Sequence, residues 1–253
     1  AMRVSLLPGL LGAVVYNQNR QQTRVRLFES GLRFIRDASA ENGIRQEAML
    51  AGVITGNAAE ENWTIPNRAV DFFDLKGDVE ALLELTANTD AYRFVRCEHP
   101  ALHPGQSAVI EFNGKSVGYI GVIHPSLEKK LGLKSKAIVF EVELAAILQR
   151  NIPSFAEVSK FPGNRRDLAI VVDQAISADD ILRLARKVGG NQVVGINLFD
   201  TYQGIGVPDG KKSLAFSIVL QNTERTLEDK EIAETMERVV DALRVEFNAT
   251  LRD

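Results

Sequence analysis

The sequence predicts an α+β protein of two domains, on three observations. Residues 151–164, "NIPSFAEVSKFPGN", hold two prolines and a glycine without a helical period, which marks a linker. Beyond it, the apolar periodicity alternates between strand and helix in the order β-α-β-β-α-β. Before it, candidate strands outnumber helices and meet through short turns, the pattern of an antiparallel sheet with helices packed on it. The expected division is a domain at 1–150, a linker at 151–160 and a domain at 161–253.

In the first part, "SLLPGLLGAVVYNQNR" (5–20) reads as a helix, with Pro8 near its first turn where a missing N–H does no harm. "TRVRLFESGLRF" (23–34) alternates around Val25, Leu27 and Glu29 and is expected to turn at Ser30-Gly31, giving two tightly joined strands. "AMLAGVITG" (48–56) is a buried strand ended by glycine, and "DFFDLKGDVEALLELT" (71–86) becomes an amphipathic helix through Val79, Leu82, Leu83 and Leu85. "SAVIEFNGKSVGYIGVI" (107–123) is a hairpin turning at Asn113-Gly114, because a two-residue turn of this kind needs two positive φ angles. "HPSLEKKLGL" is a short helix and "KAIVFEVEL" a further strand.

In the second part, "RDLAIVV" is a buried strand. Ser177 caps a helix whose inner face is Ile181, Leu184 and Val188 and which ends at Gly189-Gly190. "VVGINLFDTY" places Val194, Ile196 and Leu198 on one face of a strand, and "SLAFSIVL" alternates Leu214, Phe216, Ile218 and Leu220. Thr226 with Asp229 is expected to open a helix buried through Ile232, Met236, Val239 and Leu243. "VEFNATL", alternating Val245, Phe247, Ala249 and Leu251, is read as the last strand. The order is the split βαβ, or ferredoxin-like, arrangement.

Composition sets the class. Apolar residues make up 45% and charged residues 25%, ordinary for a globular chain, and no apolar run approaches the roughly 18 residues of a membrane span. The single cysteine, Cys97, cannot form an internal disulfide, which fits a cytoplasmic location. Net charge is −3, with 18 basic and 18 acidic side chains up to residue 160 and 12 basic and 15 acidic beyond it. Neither part coats nucleic acid generically, so any RNA contact must be local. Early in the chain, Arg3, Arg20, Arg24, Arg26, Arg33 and Arg36 have only Glu29 as a counter-charge within the first 36 residues.

No catalytic constellation emerges. His99 and His103 stand four apart, but each precedes a proline, which disfavours helix there. A turn-holding role is expected of them and of His124, rather than a zinc site. Asp74, Lys76 and Asp78 are expected just before a helix, where the dipole favours carboxylates. "GIGVPDG" (204–210) joins two strands rather than a strand and a helix, so it fails the test for a phosphate loop. Arg165, Arg166, Lys211, Lys212 and Arg225 lie at strand or helix ends and are expected on one rim of the sheet, with Tyr202 at the loop edge. Phe199 is expected in the core.

Several stretches are more specific than their physics. "MRVSLLPGLL…NQNR…VRLFESGLRF", "DFFDLKGDVEALL", "HPALHPGQSAVIEFNGKSVGYIGVIHPSLEKKLGL", "FPGNRRDLAIVV", "VVGINLFDTYQG" and "KSLAFSIVLQNTERTLEDKEI" together resemble the C-terminal part of the bacterial phenylalanyl-tRNA synthetase beta-subunit family, in order and over essentially all 253 residues. The resemblance implies an incomplete, catalytic-like module on a class II synthetase-like antiparallel sheet, followed by a ferredoxin-like anticodon-binding domain. It implies an alpha subunit as partner in an (αβ)2 heterotetramer, phenylalanine tRNA as the RNA, and ATP and Mg2+ used by the alpha subunit rather than by this chain. The family's editing domain and its metal-binding residues are expected upstream of Met2, and Ala1 reads as a remnant added ahead of an internal start. Arg26 or Arg33 occupies the place of an ATP-gripping arginine, yet the absence of an acid–base set favours a non-catalytic module. By the same resemblance, Arg165, Arg166, Tyr202, Lys211, Lys212 and Arg225 become candidate contacts to the anticodon stem-loop. Two other readings stay open on the residues alone: an amino-acid-binding regulatory module and a purely structural assembly module.

Overall fold

The computed structural model describes residues 2–40, 42–153, 155 and 157–252. Ala1, expected to be an added remnant, and Ser154 and Ala156 of the expected linker lie outside the described residues. The chain divides into two compact units, Ala1–Ser154 and Phe155–Asp253.

The strands of the first unit are β1 (Val25–Arg36), β2 (Ile44–Thr55), β3 (Tyr92–Arg96), β4 (Leu102–Phe112), β5 (Lys115–Ile123) and β6 (Ala137–Glu143). They form one wholly antiparallel sheet in the order β1-β2-β6-β5-β4-β3. Successive side chains of a strand point to opposite faces, and both faces are filled. Helix α1 (Leu7–Gln18) packs Leu7, Leu10, Leu11 and Val14 against Met49, Ala51, Val53 and Val139. Helix α2 (Phe72–Glu84) packs Leu75, Val79 and Leu83 against Ile54, Ile110, Ile120 and Phe140 on the other side. Two short helices, α3 (Pro125–Leu131) and α4 (Leu144–Leu148), flank β6.

Local chemistry sets the element ends. Asp71 accepts from the amides of Phe73 and Asp74 while Asp74 accepts from the amide of Asp71, a reciprocal cap that opens α2. Asp78 lies within that helix rather than ahead of it. The hairpin turns at Asn113 and Gly114, with φ of +51° and +76°. Each histidine holds a turn through Nδ1: His99 accepts from Ala101, His103 from Gly105, and His124 from Ser126 at the start of α3.

The expected turn at Ser30-Gly31 is not there, because β1 runs unbroken through it with Gly31 opposite Met49. The glycine serves a close approach instead. A Cβ on Gly31 would stand 2.2 Å from a guanidinium nitrogen of Arg3. Arg3 crosses the strand there, donating to the Leu32 carbonyl at 2.9 Å and pairing with Glu29 at 2.5 Å. Three of the other early arginines find acids outside the first 36 residues: Arg24 reaches Glu60 at 4.0 Å, Arg26 pairs with Asp78 at 3.0 Å, and Arg33 pairs with Glu47 at 2.5 Å and Glu143 at 3.6 Å.

One carboxylate is fully enclosed. Glu141 of β6 is 1% exposed and accepts from the Leu6 amide at 2.7 Å and the Tyr119 hydroxyl at 2.6 Å. Leu6 opens α1 without a capping side chain of its own, so a distant strand supplies the acceptor. Burial and the bond to Glu141 hold the Tyr119 proton well above the ordinary range of a phenol.

The second unit has β7 (Asn164–Asp173), β8 (Val193–Tyr202), β9 (Lys211–Leu220) and the short β10 (Thr250–Leu251), with α5 (Ala178–Gly189) and α6 (Asp229–Phe247). The sheet order β10-β7-β9-β8, antiparallel throughout, gives the expected ferredoxin-like fold. Both helices cover one face. Ile181, Ala185, Ile232, Val239 and Leu243 pack on Leu168, Ile170, Val172, Leu214, Phe216 and Ile218.

Three local expectations fail here. The residues Val245 to Phe247 belong to α6, which continues until Asn248 enters the left-handed region at φ +50°, so only Thr250 and Leu251 pair as strand. The helix opens on Glu228 with Glu231, not on Thr226 with Asp229, because this glutamate pair forms the reciprocal cap. A register irregularity between Val193 and Gly195 turns Val194 outward and buries Val193.

Candidate nucleic-acid interface

The sheet face opposite α5 and α6 carries no helix of the second unit. Strand alternation and register place Arg165, Asp167 and Ala169 of β7, Lys211, Ser213, Ala215 and Ser217 of β9, and Asn197, Asp200 and Tyr202 of β8 on it. The central strand contributes only short side chains between Lys211 and Val219. They form the floor of a shallow trough, with longer residues on the flanking strands as its sides.

Phe199 joins this face against expectation. The register shifts between Leu198 and Asp200, and Phe199, the extra residue, is 49% exposed instead of core. The Arg165 guanidinium lies 5.6 Å from its ring centroid. Tyr202 is 38% exposed, and the Arg252 guanidinium lies 5.0 Å from its centroid. The trough is thus flanked by two arginine–aromatic pairs, an arrangement suited to stacking unpaired bases and holding phosphates. Of its four members, Phe199 is expected in the core from the sequence, and nothing in the sequence marks Arg252. The bulge and the tertiary position of the C-terminal segment leave no local mark in the sequence.

The six expected contacts do not share one rim. Arg165 and Arg166 lie opposite Val219 and Ile218, whereas Lys211 and Lys212 lie opposite Asp173 and Val172 at the far end of β7. Seven residue steps at about 3.3 Å each put Arg165 and Lys212 roughly 23 Å apart. Tyr202 is at the lysine end, opposite Ser213. Arg225 belongs with the arginine end, just before α6.

Their engagements also differ. Arg165 bonds Asp167 at 2.7 Å, which raises its already high pKa further. Arg166 alternates to the helix-covered side, donates to the Arg165 carbonyl and reaches Asp229 at 3.8 Å. Lys212 points the same way and donates to the Ile176 carbonyl at 2.6 Å; burial pushes its ammonium pKa down, partly offset by Asp173. Arg225 grips Glu231 through two bonds of 2.7 and 2.6 Å.

Glu231, bonded by Arg225 and then by the Glu228 amide, is held down to about pKa 2. A depressed carboxylate pKa contributes stability above its unfolded value, near 4.5, that is lost as pH falls toward 2. Acid titration followed by circular dichroism should therefore show a shallower loss of stability between pH 5 and 2, roughly, for Glu231→Gln than for the unaltered chain. Equal slopes would remove Glu231 from the acid response.

Residues 1–144 match the family described as phenylalanyl tRNA synthetase beta chain CLM domain, and residues 159–252 match the ferredoxin-fold anticodon binding domain. Over all 253 residues the chain is 60% identical to the phenylalanine–tRNA ligase beta subunit of Shewanella oneidensis, 57% to that of Dickeya dadantii and 56% to that of Yersinia pestis. Each match covers 100% of this chain and 32% of the relative, so the chain spans about a third of the length of these curated relatives.

Proposed function

Because the chain belongs to the phenylalanyl-tRNA synthetase beta-chain family, we propose that it supports aminoacylation of phenylalanine tRNA without catalysing it. Its first unit assembles with the alpha subunit of an (αβ)2 enzyme, and its second unit binds the anticodon stem-loop. The observation that carries the RNA reading is the helix-free sheet face, where Phe199 and Tyr202 stand exposed beside Arg165 and Lys211. Aromatic faces accept unstacked bases, and the flanking cations accept phosphates. Arg166, Lys212 and Arg225 already hold partners off this face and are not counted among its contacts in this reading.

In this reading ATP and Mg2+ belong to the alpha subunit rather than to this chain. Arg26 and Arg33, where the family resemblance would put a nucleotide-gripping arginine, are paired to Asp78 and to Glu47 and Glu143. Nucleotide chemistry is accordingly assigned to the alpha subunit.

Filter binding to phenylalanine tRNA tests the proposal. Phe199→Ala and Tyr202→Ala are each expected to weaken binding by about 5- to 160-fold, from the roughly 1–3 kcal/mol of one base–aromatic stack. Arg225→Ala is expected to leave it nearly unchanged. Full binding by both aromatic variants would overturn the sheet-face reading. A chain that binds no tRNA at any salt would favour the assembly role alone.

A further inference from the structure

We infer that Arg252 is an RNA-phosphate contact and the residue that positions Tyr202 for a base. The inference rests on the tRNA reading above and adds to it a residue from the far end of the chain.

Geometry fixes the starting point of the side chain. The Arg252 amide donates to the Ala169 carbonyl at 3.0 Å, which extends the β10–β7 ladder by one residue. Opposite Ala169, the arginine rises on the helix-free face, and its guanidinium reaches across short side chains to the Tyr202 ring at 5.0 Å. The small residues of β7 and β9 leave that path clear, since Ala169 and Ala215 lie side by side beneath it. A bulky residue at either place would block the crossing.

Tyr202 is held at its rim as well. Its hydroxyl donates to the Ile205 carbonyl at 3.3 Å. A Cβ on Gly204 would stand 2.8 Å from that hydroxyl oxygen, and Gly204 has φ of +148°, so the loop passes the ring as only glycine allows. Gly204 and Ile205 thus restrain the edge of the ring, and Arg252 bears on its face.

The charge of Arg252 is met by no carboxylate among the described residues, unlike those of Arg165, Arg166 and Arg225. Arg165, Arg166 and Arg225 each have a carboxylate within 4 Å, in Asp167, Asp229 and Glu231. Among the described residues, Arg252 has no acidic partner, and its side chain lies over the Tyr202 ring. A cation over an exposed ring gains about 0.5–1 kcal/mol, and a charge-assisted, two-pronged bond to phosphate is stronger. An incoming phosphate can therefore take the N–H edge of the guanidinium while its planar face stays over the ring. In an acidic domain, such an unpaired cation is where a backbone phosphate is best met.

Filter binding of the full chain to phenylalanine tRNA across a salt series separates the roles. Arg252→Ala should reduce the slope of log K against log salt by nearly one, because one fewer counterion is released. It should weaken cognate and anticodon-substituted tRNAs by the same factor, as a phosphate contact does. Arg252→Lys should retain the slope yet bind about 2- to 5-fold less tightly, since lysine keeps the charge but loses the planar group over the ring. An unchanged slope in Arg252→Ala, with the unaltered chain binding normally, would overturn the assignment and leave the Phe199 and Tyr202 reading intact. A loss confined to the cognate anticodon would also overturn it, marking a base contact instead. No binding by the unaltered chain would overturn both readings together.

Discussion

Glu141→Ala is expected to destabilise the first unit by about 3–5 kcal/mol, because it removes the acceptor of two buried donors at once. The Leu6 amide and the Tyr119 hydroxyl both end on this carboxylate, in a place sealed from water. Alanine leaves those groups without a partner and opens a cavity between β6 and the start of α1. Glu141→Gln keeps one acceptor oxygen and should lose about half as much; Tyr119→Phe, which removes one donor cleanly, should lose about 1–2 kcal/mol. Urea unfolding followed by circular dichroism measures all three. The raised Tyr119 pKa adds an alkaline signature. A raised folded-state pKa gives stability that is present below the unfolded value, near 10, and lost as pH rises beyond it. Tyr119→Phe should flatten that part of the loss. If Glu141→Ala unfolds at the same urea concentration as the unaltered chain, Glu141 does not anchor α1.

Phe216→Ala is expected to cost the second unit about 3–5 kcal/mol, a large share of the roughly 5–15 kcal/mol that holds a domain of ordinary size. Phe216 is fully buried on the central strand, opposite Leu168 of β7 and Leu198 of β8, where both helices close over the sheet. Its neighbour Ala215 lies on the other face, so Ala215→Ser should shift stability by less than about 1 kcal/mol. Urea melts of the two variants make the comparison. Equal losses would mean that the two faces of β9 do not differ as described. Because the trough is built on the reverse side of the strand that Phe216 anchors, Phe216→Ala should also lose tRNA binding as the fold loosens.

The stability of both units rests on patterns that are visible in one dimension. Leu214, Phe216, Ile218 and Leu220 alternate strictly and are all buried, and Asn113-Gly114 turns the hairpin as its residues require. Local signals fail where two causes compete for one residue. Gly31 reads as a turn but makes room for Arg3, and Val245 and Phe247 alternate like a strand while Phe247 also keeps helical spacing with Leu243 and Val245 faces outward. In the second case the helix continues because its cap, Asn248, lies further on.

The sequence by itself determined the class of the protein, the six-element order of its second unit, the antiparallel character of its first and its family. Those depend on periodicities of two and 3.6 residues, on turn residues, and on stretches long enough to be distinctive. Only the tertiary structure decided which cations act together. Strand register sent Arg165 and Lys212 to opposite ends of β7, a bulge of one residue turned Phe199 out of the core, and the C-terminal segment brought Arg252 to Tyr202 from 50 positions away. Spacing along a chain fixes which face of an element a residue occupies. Which residues meet across a face depends on register and strand order, and these are set by the packing of the whole unit.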